Sequence, residues 1–101
     1  MAEFTKVAKL SEIPAGSGKT VEVGGQKVAV FNVGGKFEAT ADTCLHRGGP
    51  LGEGTLEGNV VTCPWHHWSY DVTTGANTKN ANLKVAKFPV KVEGDDLLVE
   101  A

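Results

Sequence analysis

The metal-binding residue types of this chain are crowded into one stretch. Both cysteines, Cys44 and Cys63, and all three histidines, His46, His66 and His67, fall between positions 44 and 67 of 101. They form two short segments, Cys44-x-His46 and Cys63-x-x-His66, with sixteen residues between them. Any fold that uses these donors together must bring two loops to one place. A lone disulfide between Cys44 and Cys63 would account for the cysteines and leave the histidines beside them unexplained.

Each segment offers one soft thiolate and one imidazole. Such donors select zinc, Cu(I) or iron–sulfur centres, whereas oxygen ligands suit Mg²⁺ or Ca²⁺. Two Cys and two His can hold one tetrahedral zinc. They can equally hold two irons, with both cysteines on one and both histidines on the other. Zinc fingers commonly pair like ligands locally around a helix. Here each segment is mixed and no helical pattern follows, which suits a cluster lying between two loops.

The remainder of the chain reads as β structure. Phe37 and Ala39 alternate with Lys36, Glu38 and Thr40, and Phe88, Val90 and Val92 alternate with Lys87, Lys91 and Glu93. Both patterns predict strands with one buried face. Residues 27–33 (KVAVFNV) are almost continuously apolar and β-branched, as expected of a strand buried on both faces. Gly24-Gly25, Gly34-Gly35 and Gly94-Asp95 separate the runs at hairpin spacing, and glycine supplies the positive φ that tight hairpins demand. Strands are also expected at 20–23, 60–62, 68–72 and 96–99, and one helical turn at 10–15 (LSEIPA). Residues 42–55 (DTCLHRGGPLGEGT) and 63–67 interrupt the strand pattern as glycine- or proline-marked loops. The expected fold is all-β, an antiparallel sandwich or barrel.

Composition narrows the function. At this length one domain spanning 1–101 is expected. Ten Lys+Arg against twelve Asp+Glu give a net charge of −2, which leaves no basic stripe for nucleic acid. No apolar run is long enough for a transmembrane helix. The start, Met1 to Lys6, lacks a basic segment leading into an apolar one, so no signal peptide is expected.

Cys44-Leu45-His46 together with Cys63-Pro64-Trp65-His66 resembles the signature of the Rieske [2Fe–2S] family. Arg47 to Gly52, Leu56-Glu57-Gly58 and the tail Trp68 to Gly75 are similar to the surroundings of its cluster loops. The resemblance implies a Rieske fold: an antiparallel β-sandwich with a small cluster-binding subdomain, roughly 42–80, formed by two loops. It implies one [2Fe–2S] cluster, with Cys44 and Cys63 on the inner iron and His46 and His66 on the outer, more exposed one. Two thiolates bring the oxidised site to formal zero and one electron takes it to −1, whereas an all-cysteine cluster starts at −2; histidine ligation therefore raises the potential. The high-potential branch of the family carries an extra cysteine in each loop and a serine donor to a bridging sulfide. The matching positions here are Gly49, Trp65 and Trp68. Hydrogen bonds to sulfur favour the reduced state, so a potential at the low end of the family range is expected. The missing loop disulfide fits a reducing, cytoplasmic compartment.

Five neighbours have two readings each. His67 is a partner contact or a solvated loop residue. Trp65 and Trp68 form an apolar collar around the cluster or ordinary packing beneath the loop. Tyr70 donates its hydroxyl to a cluster cysteine or fills a small core. Arg47 fixes a loop carboxylate or sits in solvent, and Pro50 and Pro64 stiffen the loops.

The resemblance implies a one-electron carrier, the ferredoxin component that passes electrons from a flavin reductase to a non-haem iron oxygenase. No catalytic residues are expected, because no His/His/carboxylate set remains once a cluster is built. Redox proteins are the expected partners, with no nucleic acid, membrane or small-molecule substrate. The alternatives are a Rieske-like small subunit of an assimilatory nitrite-reductase type of enzyme, a redox sensor, and a structural zinc adaptor module.

Overall fold

The computed structural model describes residues 4–42, 50–64 and 68–100. Among these described residues ten strands follow in chain order: β1 Phe4–Lys9, β2 Gly18–Val23, β3 Gln26–Val33, β4 Lys36–Ala41, β5 Thr55–Glu57, β6 Val60–Thr62, β7 Ser69–Asp71, β8 Lys87–Phe88, β9 Val90–Glu93 and β10 Asp96–Glu100. They form three sheets, ordered β1-β10-β9, β2-β3-β4-β8 and β5-β6-β7. Every pairing between these strands is antiparallel. The fold is the expected all-β antiparallel sandwich, and a smaller sheet, β5-β6-β7, lies beside it.

Strand β3 explains how three sheets share one molecule. Val28, Ala29, Val30 and Phe31 are all fully buried. Successive side chains of a strand point to opposite faces. Val28 and Val30 enter a core with Ile13, Val21, Ala39, Leu97 and Val99, between the two larger sheets. Ala29 and Phe31 enter a second core with Leu51, Leu56, Val61, Cys63, Tyr70, Val72 and Val85, which backs the small sheet. The unbroken apolar run in the sequence is thus one wall shared by two cores. The Gly24-Gly25 and Gly34-Gly35 turns on either side of β3 have positive φ at both residues, as tight hairpins require.

Two expectations need correction. The run containing Phe88, Val90 and Val92 is two short strands rather than one. Lys87–Phe88 pairs with β4, and Val90–Glu93 pairs with β10 in the other sheet. Pro89 stands between them; it lacks an N–H to donate to a ladder and marks the switch of sheet. Val92 is consequently 48% exposed rather than part of a buried face. Glu38, expected on the wet face of β4, is buried. Its carboxylate accepts from Lys87 Nζ at 2.5 Å and has Lys36 Nζ at 3.7 Å. Lys87 Nζ also donates to the Val72 carbonyl at 2.8 Å, so one ammonium ties β4 to the segment that follows β7. Strands β1 and β5 were not expected; β5 has only three residues, and β1 carries two lysines, Lys6 and Lys9, among its six. The turn expected at 10–15 is a 3-10 turn at Leu10–Glu12.

Phe31 is the largest apolar side chain in the shared wall. Phe31→Ala is expected to cost about 3–5 kcal/mol of stability. Urea unfolding of the variant checks this, and a loss below about 1 kcal/mol would contradict the shared-wall account.

Candidate metal centre

The two segments expected to carry ligands are anchored at residues the structure describes. The first leaves the sheet at the end of β4 and returns at Pro50. Asp42 closes its base. The Asp42 carbonyl accepts from Leu51 N at 2.7 Å, and its Oδ1 accepts from Gly52 N at 2.8 Å. The same oxygen accepts from Thr20 Oγ1 on β2 at 2.8 Å. Asp42 is only 2% exposed. The second segment is the loop of the β6–β7 hairpin. Thr62 lies opposite Ser69, their hydroxyls are 3.2 Å apart, and Cys63 N donates to the Trp68 carbonyl at 2.6 Å.

Both bases rest on one core. Leu51, just beyond the first segment, and Cys63, at the mouth of the second, belong to the same buried cluster. Gly54 brings them together. A Cβ built on Gly54 would run into the Thr62 carbonyl oxygen and lie 3.1 Å from Val61 Cγ2. Only the absence of a side chain lets the chain leaving the first segment pass so close to the strand leading into the second. Gly52 plays a similar part against β2, where a Cβ would stand 2.6 Å from Thr20 N.

Cys63 is fully buried among apolar side chains. A thiolate there is costly unless a cation accompanies it, and a soft metal at the loop mouth supplies one. Tyr70 is also fully buried in this core, opposite Val61, and Trp68 packs against the same cluster. Tyr70 and Trp68 therefore both contribute to the core beneath the second segment. Cys44, His46, Arg47, Gly49, Trp65, His66 and His67 lie outside the described residues. Of the four expected ligands, Cys63 is the one placed.

The tail after β7 is held by side-chain hydrogen bonds. Asp71 Oδ1 accepts from Thr73 N, Thr73 Oγ1 and Asn59 Nδ2 at 2.9, 2.6 and 3.1 Å. Burial pushes the Asp71 carboxyl upward, but these donors outweigh it and hold the group below the ordinary carboxylate value. Asn77 Oδ1 accepts from Lys79 N and Asn80 N, and Thr78 N donates to the Ser69 carbonyl at 3.0 Å. The spacing of Cys and His did not point to Asp42, Thr20, Gly54 or Lys87, which matter through contacts with residues distant in sequence.

Comparison with known proteins follows the same lines. A model of the Rieske [2Fe-2S] domain matches residues 3–89. The biphenyl dioxygenase ferredoxin subunit of Pseudomonas sp. (strain KKS102) is 40% identical over 99 residues, covering 96% of this chain and 91% of that protein. The ferredoxin of carbazole 1,9a-dioxygenase from Nocardioides aromaticivorans IC177 is 30% identical, with a TM-score of 0.87 and 95% of each chain covered. A chain in the solved complex of reduced oxygenase and oxidized ferredoxin in carbazole 1,9a-dioxygenase is 35% identical, with a TM-score of 0.86, covering 96% of this chain and 92% of that one.

Gly54→Ala is expected to cost about 1–3 kcal/mol, because its Cβ meets backbone that cannot turn aside. Thermal unfolding checks it, and an unchanged midpoint would mean that the two loop bases are not packed as described.

Proposed function

The chain belongs to the Rieske [2Fe–2S] family, and on that premise we propose that it is the ferredoxin component of an aromatic-ring oxygenase system. It carries one [2Fe–2S] cluster and moves one electron at a time from a flavin reductase to a terminal non-haem iron oxygenase. Cys44 and Cys63 would hold one iron, and His46 and His66 the other. The cluster supplies reversible one-electron exchange.

The protein's own residues supply the frame. The observation that carries the reading is the convergence of both loop bases on the core that buries Cys63. Asp42 and Gly54 set the first base and the Cys63–Trp68 hydrogen bond sets the second. With both cysteines assigned as ligands, none is left for a disulfide, which supports a reducing, cytoplasmic setting. Among the described residues no helix is long and apolar enough to cross a membrane.

Metal analysis of the purified chain tests the reading. A [2Fe–2S] protein returns about two iron and two acid-labile sulfide per chain, whereas a structural zinc module returns zinc and no colour. Cys63→Ser is expected to abolish the visible absorption and to lower stability, because metal-binding energy acts as folding energy. Unchanged spectra in that variant would overturn the assignment of Cys63.

The potential is expected at the low end of the roughly −150 to +300 mV range of Rieske centres. A redox titration followed by electron paramagnetic resonance measures it. A midpoint well above zero would place the chain in the high-potential branch instead.

A further inference from the structure

Among the described residues, Asp42 is the more enclosed of two buried acidic side chains, at 2% exposure against 8% for Glu38. The two are handled differently. Glu38 faces two lysine ammoniums. The described donors to the Asp42 carboxylate are neutral, the Thr20 hydroxyl and the Gly52 N–H, and both reach Oδ1 at 2.8 Å. No lysine among the described residues forms an ion pair with Asp42.

Its place in the chain gives this charge a target. Asp42 precedes Cys44 by two residues, so the backbone limits their Cα separation to about 7 Å. Buried charges are screened far less than exposed ones. A negative charge beside a redox centre opposes the addition of an electron. A donor to the carboxylate offsets part of that field.

We propose that Asp42 is a positioning residue for the iron–sulfur site, anchoring the first loop to β2 through Thr20 and holding the potential down by its charge. The proposal rests on the [2Fe–2S] reading. It makes Thr20, far from either ligand segment in sequence, a control on the site through one hydrogen bond.

The two halves of this relay have opposite electrostatic signs. Thr20→Val keeps the shape of the side chain and removes the donor, which leaves the carboxylate less neutralised and lowers the midpoint. Asp42→Asn removes the charge and raises it. Thr20→Ser keeps the hydroxyl and leaves the midpoint in place. Mere loosening of the loop would not move the first two variants in opposite directions.

Redox titration of the four loaded proteins, wild type and the three variants, tests this. Thr20→Val should also lose iron to excess EDTA about fivefold faster, the factor expected when one ordinary hydrogen bond no longer opposes loop opening, while Thr20→Ser stays near wild type. Midpoints of Thr20→Val and Asp42→Asn that move the same way, or that match wild type, overturn the proposal. Should Asp42→Asn fail to take up iron, the two Thr20 variants decide: a lower midpoint in Thr20→Val alone supports the relay, and equal midpoints overturn it. A wild-type protein without iron would instead overturn the cluster reading itself.

Discussion

Burial of β3 on both faces is the constraint from which the architecture follows. A strand that buries one face asks for a single partner layer. A strand with Val28, Ala29, Val30 and Phe31 all withdrawn from solvent asks for two. The first layer is the sheet β1-β10-β9, which completes the sandwich. The second is the small sheet β5-β6-β7, which brings Cys63 and Tyr70. The hairpin that carries Cys63 is thus seated on the same strand that organises the sandwich, and its core is continuous with Phe31.

That arrangement sets how much could be read from sequence. The two-faced burial of β3, the double-glycine turns and the Cys/His spacing are local patterns, and each was legible. The division of 87–93 between two sheets was not, because alternation looks the same whichever sheet a residue joins; Pro89 was the visible hint. The burial of Glu38 was hidden for a related reason. Its partner Lys87 is 49 positions away, and nothing local distinguishes it from other charged strand residues.

The site divides in the same manner. Spacing and residue type single out Cys63 because metal chemistry restricts the donors a chain can use. Asp42, Thr20 and Gly54 escape such reading because their roles are distances between segments. Gly54 is one of thirteen glycines, and what separates it from the turn glycines is a neighbouring carbonyl rather than a positive φ. Asp42 looks like an ordinary acid at the end of a strand until Thr20 and Gly52 are seen to share one of its oxygens.

These supporting contacts suit an electron carrier more than a catalyst. A carrier must hold one geometry while its centre changes by a full unit of charge. Supports that do not themselves depend on that charge are then an advantage. The bonds from Leu51 N and Gly52 N to Asp42, and from Cys63 N to Trp68, are backbone-donated and neutral on the donor side. The close pass of Gly54 against Thr62 is steric and insensitive to charge. The ammonium of Lys87 is committed to Glu38 and the Val72 carbonyl. The rigid parts of the site are thus fixed by packing and neutral donors, and the Asp42 carboxylate is the element within them whose charge bears on the centre.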